Sequence, residues 1–176
     1  MNTALAGISK QVLVQHQKVY TRGPVGKTSP ARRQDWYNGN SSMSEPKPIL
    51  VTAGIIIREH EILICQRHRS DPYGLEWEFP GGKVKDSEGL EASLQRELRE
   101  ELGIEAEIGE EVYRLRHRYP DRYVEVIFFR VESYRGKPAN RVFESIEWVE
   151  RRELAGYNFL EADRELVGRI AEGAIV

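Results

Sequence analysis

Residues 96–104 read RELREELGI, and three of the nine are glutamates. Glu97 lies three residues from Glu100 and four from Glu101. On a helix both spacings bring side chains together, and like charges so placed oppose each other by roughly 0.2–0.5 kcal/mol per pair. With Arg96 set at zero and steps of about 100° per residue, Glu100 falls near 40°, Glu97 near 100° and Glu101 near 140°. Leu94, Leu98 and Leu102 cover the neighbouring arc, from about 160° to about 240°. The carboxylates therefore border the buried stripe, and Glu101 is expected to be the least solvated. Arg96 can pair with Glu100 at i, i+4, but one cation does not neutralise three anions beside a low-dielectric core. Either a carboxyl pKa rises or a cation is bound. Oxygen-only ligands of high charge density suit Mg²⁺ or Mn²⁺. Water on such an ion is acidified toward hydroxide, and a nearby carboxylate can take its proton.

A solvated acidic face is the ordinary explanation of three glutamates on a surface helix. Two features weigh against it here. The patch abuts the leucine stripe, and the stretch FPGGKVKDSEG precedes the helix. A double glycine lets the backbone approach a ligand closely and turn a carbonyl toward it. A glycine-rich loop feeding a helix also offers main-chain donors to an anion. Other chemistry is absent from the pattern. The four histidines (His16, His60, His68, His117) lack zinc-ligand spacing, and Cys65 in ILICQR reads as a small buried side chain. GPVGKT (23–28) looks like a phosphate loop but has Thr21 where the pattern needs glycine, and no convincing helix follows.

The elements that must position the glutamates are legible in hydrophobic patterning. ILVTAGIII (49–57) reads as a buried strand, ILICQR (62–67) as its hairpin partner, and LEWEF (75–79) as a short strand stopped by Pro80 and two glycines. The clearest helix runs from about 89 to 102 and ends at Gly103, a residue able to take the left-handed conformation. Residues 104–119 and 123–134 read as strands joined at PDR (120–122), and 144–150 as another. A closing helix is expected over 161–173, with Leu166, Val167 and Ile170 inward. The order predicts an α/β (α+β) fold, a mixed β-sheet sandwiched between helices. Trp77 and Phe79 share one strand face, and Trp148 is expected to point into the core, opposite Glu147.

With 40% hydrophobic and 31% charged residues among 176, the chain reads as a soluble globular protein with one ordinary domain. No apolar run approaches the roughly 18 residues that cross a bilayer. The net charge of −2 argues against coating a nucleic-acid polymer, but it is unevenly spread. Residues 1–42 carry six basic side chains and one acid, leaving about −7 on the rest. They lack sustained periodicity, apart from VLVQHQKVY (12–20), which could pair as a short strand. This segment reads as a poorly ordered extension: a functional tail, an acid-poor targeting peptide, or an upstream stretch included by too early a start. The last is favoured, because Met43 opens a natural-looking domain over 43–176. One cysteine makes a reducing, cytoplasmic setting the default.

Residues 82–104 also match a known pattern. Gly82, five residues, Glu88, seven residues, then Arg96-Glu97-Leu98-Arg99-Glu100-Glu101-Leu102-Gly103-Ile104 fits all nine defined positions of the Nudix box. With EFPGGK, YPDR and the IEW of 146–148, the stretch from about 49 to 172 resembles the MutT-like branch of the Nudix hydrolases. That resemblance implies a Mg²⁺-dependent nucleoside triphosphate pyrophosphohydrolase, with Mn²⁺ as a substitute. It implies attack on an internal phosphorus, usually the β, releasing nucleoside monophosphate and pyrophosphate. Glu97, Glu100 and Glu101 would ligate metal, with the Gly81 carbonyl and Glu147 as further ligands. Glu88 and Arg96 would brace the loop against the helix. Glu97 or Glu147 would be the base, with Glu101 and Arg96 completing the catalytic group. Arg67, Lys83 and Arg122 are candidates for the phosphates, and Phe79 for the base pocket. Asp163 stands where relatives carry a base-reading asparagine, and an ionised aspartate accepts hydrogen bonds where asparagine also donates.

House-cleaning hydrolysis of 8-oxo-dGTP, a nucleotide-pool and DNA-repair role, is the leading expectation. CTP or a modified dCTP follows closely because of Asp163. ADP-ribose or a dinucleoside polyphosphate is a further option, since Pro120 sits near where ADP-ribose enzymes carry a proline. A non-catalytic nucleotide-sensing Nudix domain fits less well, because every box carboxylate is kept. The partner expected is a small nucleotide, with neither membrane nor nucleic-acid polymer, and the protein a monomer or homodimer.

Overall fold

The computed structural model describes residues 46–175. The expectations for VLVQHQKVY and GPVGKT lie outside that range. The described residues form two sheets. The first is mixed, in the order β5-β1-β7-β6, built from β1 (Ile49–Ile55), β5 (Gly81–Lys83), β6 (Glu105–Arg118) and β7 (Tyr123–Arg135). Here β1 and β7 run parallel, while β5 lies antiparallel to β1 and β6 to β7. The second sheet centres on β3 (Glu61–Gln66), which pairs antiparallel with β2 (Ile57–Arg58), β4 (Trp77–Glu78) and β8 (Ser145–Glu150).

Helices α1 (Leu90–Leu102) and α2 (Arg164–Ala171) cover opposite faces of the mixed sheet. The α1 stripe of Leu94, Leu98 and Leu102 packs with Ile127, Phe129 and Val131, and with Leu63 and Cys65 of the second sheet. On the other side Leu166, Val167 and Ile170 pack with Ala53, Ile55, Val126, Phe128 and Phe159. Alternation along β7 supplies both cores from one strand, as the period of two requires. The expected sandwich of helices around a mixed sheet is therefore present, and a second sheet accompanies it.

Several boundaries differ from expectation for physical reasons. Gly81–Lys83 is not a stop but a strand, because Gly81 (φ +150°) brings its backbone against β1, where a Cβ would lie 2.1 Å from the Thr52 carbonyl oxygen. LEWEF contributes only Trp77–Glu78, since Tyr73 and Leu75 adopt left-handed backbone (φ 60° and 68°) and hold residues 68–76 as a loop. The closing helix begins only after Asp163, and a 3₁₀ helix over Arg151–Gly156 was not anticipated. No helix of the described residues is long and apolar enough to cross a membrane.

Candidate active site

Helix α1 is fastened at both ends. At its start Ser93 donates backbone N–H to the Gly89 carbonyl and its hydroxyl to the Lys83 carbonyl. At its end Gly103 takes φ 70° and donates to the Arg99 carbonyl, which also accepts from Arg141 Nη1 at 2.9 Å. The Ala139 and Arg141 amides satisfy the carbonyls of Leu102 and Glu101. The last turn, with its glutamates, is thereby held by the 136–144 segment.

Within this frame Arg96 bonds both loop and helix, a contact that the family resemblance implied. Its Nε meets Glu88 Oε1 at 2.8 Å, and Nη2 meets Glu88 Oε2 at 2.9 Å and the Lys83 carbonyl at 3.1 Å. The guanidinium holds the Glu88 carboxyl down to about 2. Its Nη1 reaches Glu97 at 2.6 Å and Glu100 at 3.3 Å. Glu100 remains half exposed (54%), whereas Glu97 is largely covered (15%).

Glu101 is the group left uncompensated. Burial, reinforced by the carboxylates of Glu78 and Glu97, pushes its carboxyl up to about 9, although the Gly81 amide donates to its Oε2 at 3.0 Å. A Cβ on Gly82 would sit 2.5 Å from the carboxyl carbon of Glu97. The double glycine thus brings the β5 backbone onto two of the three carboxylates. Among the described residues, no three carboxylates, imidazoles or thiols converge to enclose an ion as the side chains stand, because Arg96 engages Glu97 and Glu100. The donor set itself fits a hard divalent cation: oxygen only, clustered, and beside a buried carboxyl facing other carboxylates.

Behind β5 a cavity of about 460 Å³ opens. Its lining includes Gly81, Gly82 and Lys83 of β5, buried Phe79, Val126, Tyr119 and Asp163, and the partly exposed Tyr73 and Arg122. Phe79 is buried against Phe128 and Phe159. Asp163 is buried too, and its carboxyl is driven well above the usual range by burial, then by nearby Glu78, against the opposing hydrogen bond from the Phe79 amide. Trp77 is not among the lining residues; it packs edge-on against Tyr157.

The expected residues do not all gather here. Arg67, Phe79, Lys83, Arg122 and Asp163 line the cavity. Arg67 is already engaged there, through Nη1 to Glu78 at 2.7 Å and Nε to the Pro72 carbonyl at 3.0 Å. Glu147 stands apart from this group. It lies opposite Ile64 in the β3–β8 register, on the face away from α1, and its carboxylate accepts from the Tyr157 hydroxyl at 3.0 Å. Its neighbour Trp148 is the residue that packs toward the α1 core, as expected. Sequence reasoning missed Glu78, which lines the cavity and raises both Glu101 and Asp163. Its position in WEFPGGK, alternating with buried Trp77 and Phe79, carried the signal.

A mixed sheet between two helices thus sets a carboxylate-bearing helix against a glycine strand, with a cavity beside it. The chain belongs to the Nudix family: the NUDIX domain model matches residues 48–169. It is 36% identical over 127 residues to the 8-oxo-dGTP diphosphatase of Haemophilus influenzae, covering 72% of this chain and 93% of that protein. It is 38% identical over 122 residues to the CTP pyrophosphohydrolase of Escherichia coli, covering 69% and 90%. Among solved structures, that of the E. coli ORF135 protein superposes with a TM-score of 0.65 at 35% identity, over 73% of this chain and 90% of that one. The protein is thus a MutT-like Nudix hydrolase, and enzymes of this family depend on divalent metal ions.

Proposed function

We propose that this enzyme hydrolyses modified (deoxy)nucleoside triphosphates, 8-oxo-dGTP foremost, to nucleoside monophosphate and pyrophosphate, with Mg²⁺ as the physiological ion. One observation carries the reading. A single cavity has an interior fitted for a base, with Phe79 and buried Asp163, and a polar side at Gly81–Lys83 that backs onto Glu97 and Glu101. A nucleotide placed with its base inward carries its phosphates toward the carboxylate helix.

Glu97, Glu100, Glu101 and the Gly81 carbonyl would hold the ion. When bound, it neutralises phosphate oxygens and acidifies water. Glu97, which packs against Gly82, is the carboxylate assigned to accept a proton in this reading. Arg96 and Glu88 fix the loop, and Lys83 and Arg122 face the nucleotide. Loading the site means that Glu100 and Glu97 exchange their contacts with Arg96 for the cation.

CTP or a modified dCTP is the second reading, favoured by the likeness to a CTP pyrophosphohydrolase, while Asp163 admits both. A carboxyl that keeps its proton both donates and accepts, as asparagine does. Chromatography of products from 8-oxo-dGTP, dGTP, CTP, 5-methyl-dCTP, dATP, ADP-ribose and diadenosine polyphosphates with Mg²⁺ decides between them. Monophosphate and pyrophosphate from 8-oxo-dGTP in preference to dGTP supports the first reading. Preference for the cytosine nucleotides supports the second, and cleavage of ADP-ribose alone contradicts both.

A further inference from the structure

The loop over residues 68–76 is held in a form that its side chains do not favour. Tyr73 and Leu75 are left-handed, and Gly74 between them lies so close to the loop's own backbone that a Cβ would sit 2.7 Å from the Arg69 carbonyl oxygen. Such conformations persist where the surroundings over-determine them. Here the surroundings include other residues of the cavity lining, Tyr119 and Arg122. The Tyr73 ring lies 4.9 Å from that of Tyr119, and its hydroxyl donates to Asp121 Oδ1 at 3.1 Å. The other oxygen of Asp121 accepts from Arg122, Nε at 3.0 Å and Nη2 at 2.6 Å. The Arg122 guanidinium stands 5.7 Å from the centre of the Tyr73 ring. Arg122 is therefore fixed from both sides by one tyrosine: its ring directly, and its hydroxyl through Asp121.

We propose that Tyr73, acting with Asp121, is a positioning residue that aims Arg122 at the bound nucleotide. Arg122 and Tyr73 both line the cavity. Asp121 uses both oxygens, so neither Nε nor Nη2 of Arg122 is free to swing outward while the Tyr73 hydroxyl holds the carboxylate. The left-handed turn at Tyr73 delivers that hydroxyl to Asp121. This inference rests on the proposed function for what Arg122 meets, but not for the relay itself.

The test is Tyr73→Phe, which keeps the ring and removes the hydroxyl, made in the wild-type and Arg122→Gln backgrounds. A hydrogen bond to a charged group corresponds to about a tenfold effect. In the wild-type background KM for the preferred triphosphate is expected to rise about tenfold, with kcat within about twofold. In the Arg122→Gln background the same change should leave KM unaltered. Affinity for 8-oxo-dGMP and CMP, measured by calorimetry, should follow the same pattern and needs no turnover. A KM or affinity change of equal size in both backgrounds, or no change in either, overturns the proposal. So does failure of the wild type to bind either monophosphate. Turnover by the wild type is judged separately, on the panel above, so failure of the function and failure of the relay are distinguished.

Discussion

Arg96 grips Glu88 through two parallel hydrogen bonds of 2.8 and 2.9 Å, and so ties the loop after β5 to the middle of α1. Bidentate pairs of this kind fix geometry as well as energy. Their loss displaces the Lys83 carbonyl contact and the carboxylates together. Glu88→Gln and Arg96→Lys are expected to weaken divalent-ion affinity and kcat/KM by about 10- to 100-fold, the range for residues that orient ligands. Titration calorimetry with Mn²⁺ and steady-state kinetics check both. Glu88 titrates in the fold at about 2, below its ordinary value. Its contribution to stability is thus complete above the usual carboxylate range and disappears as pH falls through about 2. Thermal midpoints followed downward from pH 6 should fall more steeply for wild type than for Glu88→Gln.

Glu101 has the opposite sign. Its carboxyl is raised to about 9, so the metal-free fold holds a proton there that the unfolded chain releases above the ordinary glutamate range. Stability from this group is complete below that range and is lost as pH rises through about 9. In chelator-treated protein the thermal midpoint should therefore decline between pH 6 and 9, and Glu101→Gln should flatten the decline. That variant should stay folded and lose most activity. An unchanged slope would contradict the burial of this carboxylate.

Asp163 sits at the cavity interior with its carboxyl well above the usual range. Asp163→Asn keeps a donor and an acceptor and should preserve the ranking of substrates. Asp163→Ala leaves partners unpaired and should reduce discrimination between modified and ordinary nucleotides by about 10- to 100-fold. Wild-type selectivity should also weaken as pH rises through the elevated pKa of Asp163, a limb that Asp163→Asn lacks. Ratios of kcat/KM for 8-oxo-dGTP over dGTP, and for 5-methyl-dCTP over CTP, measured from pH 6 to 10, check this.

Glu147 bonds Tyr157 on the side of β8 away from α1. Glu147→Gln and Tyr157→Phe should each leave Mn²⁺ affinity within about twofold of wild type, far short of the loss expected for residues that orient ligands. A loss of tenfold or more in Glu147→Gln would return this residue to the metal site.

The site was legible to the degree that local periodicity determines it. Helix α1, its leucine stripe, its Gly103 stop and the uncompensated Glu101 all follow from spacing alone, because i, i+3 and i+4 relations are internal to one element. The Arg96–Glu88 brace came from the family resemblance and is present in the fold. Tertiary pairing was less legible. That the double glycine would form β5 depends on β1 standing beside it, which no local pattern announces. Which way Glu147 faces was not legible because an alternating strand has two faces, and only its partner, here Ile64 on β3, decides which is which. Glu78 was overlooked because its significance lies in two acids distant in sequence, Glu101 and Asp163.

The claim on which the rest depends is that the α1 carboxylates hold a divalent cation beside the nucleotide cavity. The most direct measurement is calorimetric titration of metal-free protein with Mn²⁺ and Mg²⁺ at pH 7, repeated in buffers of different ionisation enthalpy. Saturable binding in the millimolar range or tighter is expected, with a proton released, because Glu101 titrating at about 9 must give up its proton to the ion. Absence of binding by either ion, or binding undiminished in Glu101→Gln, would contradict the account.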